Sequence, residues 1–222
     1  NFVPIYWMAT EDHDFDEINY FNFKDQKFRW NRESKGPVGR LSTEGLDLVY
    51  EAFSKEIGLG NNAKYLLDLF KKSYLEHQNL ADATRFLANE LFKNEGLVII
   101  DGDAKELKKL FVPYAKNELI QQTSFKKVNE TLPLLEKYTI QVNPREINLF
   151  YIQNKLRERI IFENGHFVIN NTKLKFTEKE LLIELENNYP ADLASLQKSC
   201  ASLSKLAQEL IFSLTPARLW AI

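Results

Sequence analysis

Apolar and polar positions along this chain alternate between two rhythms, one of short unbroken apolar runs and one of apolar residues at helical spacing. Phe2 to Ala9 is a continuous apolar run, the pattern expected of a strand covered on both faces. Thr10 to Glu17 then turns sharply polar, and Phe23 to Trp30 reads as a short hairpin arm. Gly36, Pro37 and Gly39 mark a loop, after which Thr43 is placed to cap a helix over Glu44 to Ile57. Gly58, Gly60, Asn61 and Asn62 break that helix. Two more helices are predicted over Ala63 to Ser73 and Leu80 to Lys93. The second carries Leu80, Ala83, Thr84, Leu87 and Leu91 on one stripe.

A second apolar strand, Leu97 to Ile100, runs into the acidic turn Asp101-Gly102-Asp103 and a helix over Ala104 to Phe111. Phe125 to Tyr138 reads as a helix interrupted by Pro133, and Ile147 to Ile152 as a third strand. Arg159 to Phe162 and His166 to Ile169 flank Glu163-Asn164-Gly165, and Asn-Gly between two apolar runs is a hairpin signal. Glu178 to Glu186 is an amphipathic helix. This order predicts an α/β class: a Rossmann-like parallel sheet flanked by helices, with a small hairpin insertion.

Composition narrows the picture. With 222 residues, one domain or one plus a fragment is expected, and 44% hydrophobic residues suffice for a packed core. A net charge of −2 gives no global attraction to nucleic acid, and no apolar run approaches a membrane span. A lone cysteine, Cys200, excludes an internal disulfide and a paired-cysteine zinc site, which fits a reducing cytoplasm. The chain opens directly on its first strand, so it is expected to be a piece of something longer. Asparagine occurs throughout residues 1–190 and is absent from 191–222, which is rich in Leu, Ala and Ser. Residues 1–190 are therefore expected to form the partial core, and 191–222 an atypical helical tail.

The chemistry is expected at Glu11-Asp12-His13-Asp14, because open α/β sheets bind ligands outside the carboxyl ends of their strands. His13 suits proton transfer near neutral pH, and the acids around it can fix its tautomer. The group can also jointly hold an ammonium or a divalent ion. The competing reading makes Asp14 and Glu17 a capping-type helix start. Asp101 and Asp103 follow the second strand in an equivalent position, where they can meet a hydroxyl or an amine. Alternatively, Asp103 simply caps the next helix. Arg157-Glu158-Arg159 can clamp a carboxylate or phosphate, or be a solvated strand edge. His77 and His166 read as structural or surface residues, and no two histidines have metal-ligand spacing, so no metal site of the zinc type is expected. There is no GxGxxG, no P-loop and no GxSxG elbow.

Val3-Pro4-Ile5-Tyr6-Trp7-Met8-Ala9 followed by Glu11-Asp12-His13-Asp14-Phe15 and Glu17-Ile18-Asn19 resembles the signature of the bacillithiol-biosynthesis cysteine-adding enzymes, or cysteine ligases. Leu80-Ala81-Asp82-Ala83 with Gly96-Leu97-Val98-Ile99-Ile100-Asp101, and Asn148-Leu149-Phe150-Tyr151 with Arg157-Glu158-Arg159-Ile160, continue the resemblance over about Asn1 to Pro190. The resemblance implies a Rossmann-type core with inserted segments and a helical arm for homodimerisation. It implies a reaction joining L-cysteine to glucosaminyl-malate, and a core similar to class I aminoacyl-tRNA synthetases suggests a nucleotide (ATP or ADP) site. In that frame His13 transfers the proton or meets a phosphate, and Glu11 and Asp12 orient it or hold the cysteine ammonium. Trp7, Asp14, Asn19, Asp101, Asp103 and Arg157 are the candidate substrate contacts.

Two departures from that family stand out. Tyr20 replaces a second histidine of many relatives, and residues from Ala191 lack the Arg-Phe-Ser continuation expected there. Reading one base earlier at Ala191 permits Arg-Phe-Ser, so a frameshifted tail is expected, and the piece is expected to turn over slowly or not at all. A binding module without catalysis, holding a nucleotide or metabolite in the same pocket, is the alternative function. A structural interaction fragment is a third.

Overall fold

The computed structural model of the chain describes residues 2–135 and 143–188. The tail from Ala191 with Cys200, and the part of the Phe125 to Tyr138 helix past Leu135, fall outside the described residues. The chain divides between Asp101 and Gly102 into two compact units.

In the first unit β1 (Ile5–Met8) leads through a polar bend to the single helical turn α1 (Phe15–Ile18). A complete hairpin follows, β2 (Tyr20–Phe23) with β3 (Gln26–Arg29), where the sequence predicted only one arm. Its two-residue turn is Lys24-Asp25, both at positive φ, a pairing without the usual Asn-Gly signature. Helices α2 (Leu46–Ile57), α3 (Asn61–Phe70) and α4 (Leu80–Phe92) come next, α3 running into a π turn over Lys71–Leu75. Strand β4 (Val98–Asp101) then lies parallel to β1, in the register Ile5↔Val98 to Met8↔Asp101.

Thr43 does not cap α2 with its side chain. The N-cap is Gly45 at φ 87, and the Thr43 hydroxyl instead donates to the His77 carbonyl at 2.6 Å. Asn79 does cap α4: its Oδ1 accepts from the Asp82 N–H at 2.9 Å, and its Nδ2 donates to the Asp82 carboxylate at 2.7 Å. The core of this unit is aromatic. Phe21 stacks on Phe28 with ring centroids 5.2 Å apart, Phe53 meets Phe21 edge-on at 5.1 Å, and Trp30 meets Phe15 edge-on at 5.3 Å. The expectation that β1 is covered on both faces fails. Three of its four residues are half-buried and Val98 of β4 is 45% exposed, because among the described residues these two strands pair only with each other.

The second unit opens with α5 (Lys105–Gln121), which runs well past its predicted end at Phe111 and through Pro113. Its buried stripe explains why: Ala115 and Leu119 continue the apolar face into the core, and that burial outweighs the hydrogen bond lost at the proline. After α6 (Thr123–Thr131) and a 3₁₀ turn over Leu132–Leu135 comes an antiparallel sheet. It runs in the order β5 (Phe150–Gln153), β6 (Leu156–Glu163), β7 (His166–Ile169) and β8 (Lys175–Phe176), and is followed by α7 (Glu178–Asn188). The third predicted strand is β5, and it belongs to this meander. The Asn164-Gly165 turn is at positive φ, as its sequence predicts. Leu149, Ile160, Ile169, Leu181 and Leu185 seal the core at 0–1% exposure. No helix among the described residues is long and apolar enough to cross a membrane.

Candidate functional site

The bend leaving β1 is held in large part by main-chain bonds. Asp12 N–H donates to the Ala9 carbonyl at 3.1 Å, and the loop at Pro37–Arg40 closes over it. Val38 N–H donates to the Asp12 carbonyl at 2.7 Å, and Gly39 N–H to the Thr10 carbonyl at 2.8 Å. Gly39 is required by this approach, since a Cβ there would lie 2.5 Å from Thr10 Cβ and 3.0 Å from its carbonyl oxygen. Glu11 is wholly buried beneath the bend.

His13 projects from the bend with its side chain 50% exposed. Asp12 Oδ1 accepts its main-chain N–H at 2.7 Å and lies 3.1 Å from its ring Nδ1. A carboxylate oxygen only accepts, so Nδ1 carries the proton and Nε2 is left with the lone pair. Asp14 stands 3.7 Å from the same nitrogen. It is the N-cap residue of α1 but makes no side-chain cap bond, so the capping-box reading does not describe it. One ligand atom each from Asp12, His13 and Asp14 lies within 4.8 Å of the others, a spacing at which a cation or an ammonium can be shared. Asn19, five residues on, donates to Asp16 at 3.0 Å, while its Oδ1 is buried without a partner, as is Trp7 Nε1 on β1.

Asp101 sits opposite Met8 at the end of β4. Thr10 Oγ1 donates to one of its oxygens, and Arg85 Nη2 donates to the other at 2.6 Å while Nη1 reaches Asp82 at 3.3 Å. Thr10, Arg85 and Gly39 therefore organise the strand ends; the sequence marks Gly39 only as part of a loop and does not single out Thr10 or Arg85. Arg85 sits one turn from Asp82 on α4, a spacing that carries the signal, but its bond to Asp101 joins residues from separate elements. Beside it, Asp82, Arg85, Phe86, Asn89, Leu97 and Ile99 line an open groove of about 410 Å³ that His77 completes. His77 Nδ1 lies 3.0 and 2.9 Å from the carbonyls of Lys72 and Ser73, so this ring holds the end of the π turn, as a structural histidine does.

Around the bend, the groups best placed to meet a nucleotide phosphate are already engaged. The loop N–H groups of Val38 and Gly39 are spent on Asp12 and Thr10, Arg85 is engaged by two carboxylates, and His13 is flanked by two more.

Asp103 and Arg157 belong to the second unit. Asp103 does not cap α5, whose N-cap is Ala104. It pairs with Lys108, a lysine whose side chain is 3% exposed. Arg157 lies over the Phe150 ring at 4.0 Å, half-buried rather than a solvated strand edge. His166 lies at the surface, its Nδ1 3.0 Å from the Asn164 carbonyl.

Residues 1–195 match the family model described as "Bacillithiol biosynthesis BshC, N-terminal Rossmann-like domain". The "Putative cysteine ligase BshC" of Flavobacterium johnsoniae is 64% identical over 188 residues, covering 85% of this chain and 36% of the relative. The protein of the same name from Flavobacterium psychrophilum is 62% identical over 188 residues, 85% of this chain and 35% of the relative. That of Christiangramia forsetii is 53% identical over 194 residues, again 85% of this chain and 36% of the relative. The chain thus spans little more than a third of the length of the curated relatives it matches. It belongs to the BshC family of bacillithiol biosynthesis, in the region of that family's N-terminal Rossmann-like domain.

Proposed function

We propose that this BshC-family chain carries the proton-transfer site of a cytoplasmic amide-forming cysteine ligase, which adds L-cysteine to glucosaminyl-malate. Forming the amide requires an amine that arrives without its extra proton and an acyl carbon that it can attack. The observation that carries the reading is the Asp12–His13 pair at the end of β1, with the Asp12 carboxylate on both the main-chain N–H and Nδ1 of His13. That arrangement leaves Nε2 as the base. It takes the proton from the attacking amine as the C–N bond forms to a carboxyl activated beforehand, whose C–O bond to the leaving group breaks in exchange, and the imidazolium so produced is stabilised by Asp12 and Asp14.

Glu11, wholly buried, acts on the position of the bend and not on substrate. Asp12 and Asp14 together present the negative charge that draws a substrate ammonium to the half-exposed imidazole. The unpartnered Asn19 Oδ1 and Trp7 Nε1 offer an acceptor and a donor to substrate once it displaces their cover. Asp101 is the remaining candidate contact of this site, while Asp103 and Arg157 are candidate contacts within the second unit. The first two are already engaged, by Thr10 and Arg85 and by Lys108, so their part is to orient neighbours.

The test is the substitution equivalent to His13→Ala in the full-length Flavobacterium johnsoniae relative, with turnover and substrate affinity measured separately. Loss of a general base is expected to lower kcat by about 10²- to 10⁴-fold with affinity preserved. Equal losses in both would instead favour a module that only holds a nucleotide or metabolite, and unchanged turnover would end the reading.

A further inference from the structure

The bend that carries His13 is joined to three other parts of the first unit. From the loop at Pro37–Arg40, the Gly39 N–H donates to the Thr10 carbonyl at 2.8 Å. From β4, the carboxylate of the terminal Asp101 accepts the Thr10 hydroxyl. From α4, Arg85 Nη2 donates to the other Asp101 oxygen at 2.6 Å, while its Nη1 reaches back to Asp82 at 3.3 Å. Thr10 is buried and the Asp101 side chain is largely so. A hydroxyl bonded to a carboxylate away from bulk water makes a strong, directional, charge-assisted bond. The Arg85 guanidinium is planar, and with Asp82 on one nitrogen it meets Asp101 from a fixed side. One Asp101 oxygen thus faces α4 and the other the bend.

Thr10 precedes His13 by three positions, so its attachment decides where the imidazole sits. Val38 and Gly39 hold the bend to a short loop turn. Asp101, by contrast, belongs to a strand paired with β1, and Arg85 to a helix capped by Asn79. Strands and helices place a side chain more closely than loops do. His13 keeps its proton on Nδ1 through a 3.1 Å contact with Asp12 Oδ1. A pivot of the bend by about 1 Å would carry that pair beyond hydrogen-bond reach.

We propose that Thr10, Asp101 and Arg85 are positioning residues for His13, holding the bend so that Asp12 keeps the ring in its Nδ1–H tautomer and Nε2 keeps the lone pair. The inference rests on the proton-transfer reading for its purpose and not for its geometry. The test is heteronuclear NMR of the imidazole nitrogens in the 222-residue chain, at a pH where the rings are neutral. The signal lost in His13→Ala assigns the ring, which in the parent is expected to be mainly the Nδ1–H tautomer.

Thr10→Val keeps the side-chain shape and removes the donor, and is expected to bring the ring to a mixture of both tautomers. Thr10→Ser keeps the hydroxyl and is expected to stay with the parent. Arg85→Gln is expected to shift the ring in the same direction by less. Arg85 lies at the surface, so this variant decides if circular dichroism shows Thr10→Val to be misfolded. Lys93→Gln, just past the end of α4, removes an exposed pair with Glu90 and is expected to leave the ring as in the parent. A parent ring mainly in the Nε2–H form overturns the proposal. So does a ring unchanged in both Thr10→Val and Arg85→Gln, or one that moves as far in Thr10→Ser or Lys93→Gln as in Thr10→Val.

In the full-length Flavobacterium johnsoniae relative, the change equivalent to Thr10→Val is expected to lower kcat about ten- to a hundredfold with KM within about threefold. A shifted tautomer with kcat unchanged would support the positioning and count against the base. The two readings therefore stand or fall on separate measurements.

Discussion

Asp101 and Asp103 stand two residues apart, in one turn that looks symmetrical in sequence, yet the two units use them in opposite ways. Asp101 ends a strand and is tied to Thr10 and to Arg85, a guanidinium whose side chain is 45% exposed. Asp103 instead pairs with a lysine sealed at 3% exposure. The contrast extends through each unit. Apart from the buried Glu11, the first keeps its charges at strand ends, with His13 and Asp14 about half exposed. The second draws charge inward: besides Lys108, the Glu118 carboxylate is buried and accepts the N–H groups of Ser124 at 2.9 Å and Asn148 at 3.4 Å. Charge at a rim can meet a reactant. Charge sealed inside fixes chain segments to one another, and its removal is felt as lost stability.

The sharpest way to break this contrast is Lys108→Ala. It leaves Asp103 partly buried without its cation, which is expected to cost about 3–5 kcal/mol of stability. Hydrogen exchange should accelerate across Lys105–Asn188 and leave Ile5–Asp101 unchanged. Equal acceleration in both would show that the units do not hold their charges independently. A double change to Lys108→Met with Asp103→Asn should recover most of the loss, because it removes both charges together.

Next in size is Gly39→Ala, directed at the rim. The added Cβ would meet Thr10 at 2.5 Å, so either the loop or the bend must shift, at a cost of about 1–3 kcal/mol. The strained element is the one that carries His13. In a full-length relative the equivalent change is therefore expected to lower turnover more than its effect on melting temperature would suggest. An unchanged kcat would uncouple the bend from the chemistry.

How much of this was legible beforehand follows from where each signal lies. The parallel pair β1 and β4 was visible as unbroken apolar runs, and the Asn164-Gly165 hairpin as a turn whose residues tolerate positive φ. The Lys24-Asp25 turn was not visible, because nothing in a lysine advertises left-handed backbone. There the packing of Phe21, Phe23 and Phe28 fixes the hairpin and the turn follows. The end of α5 is not legible in the sequence because Pro113 is a local signal while the burial of Ala115 and Leu119 is a tertiary one. At the candidate site, the acidic bend could be located from its place after a strand. Its supports could not: Gly39 is fixed by a close approach to Thr10, and Thr10 bonds to Asp101 across a separation of 91 residues. The place of Lys108 on the buried stripe of α5 is not legible in the sequence, because a charged residue does not contribute to an apolar pattern.

The smallest expected effect concerns a phenol sealed inside the first unit. Tyr74 follows α3 and packs against Phe70 with ring centroids 5.0 Å apart. Burial raises its phenol from 10.0 to about 12, with the hydroxyl bonded to Thr84 acting in the other direction. The folded state therefore keeps this proton at pH values where the unfolded chain releases it. Its contribution to stability is fully present below about pH 10 and is lost as the pH rises toward 12. Tyr74→Phe should cost only about 0.5–1.5 kcal/mol at neutral pH, the worth of one hydrogen bond. Urea midpoints measured from pH 8 upward should then fall less steeply in the variant than in the parent, so that the two curves converge in strong base. Parallel curves would mean that the phenol ionises as freely folded as unfolded, and that its burial does not matter to the fold of the first unit.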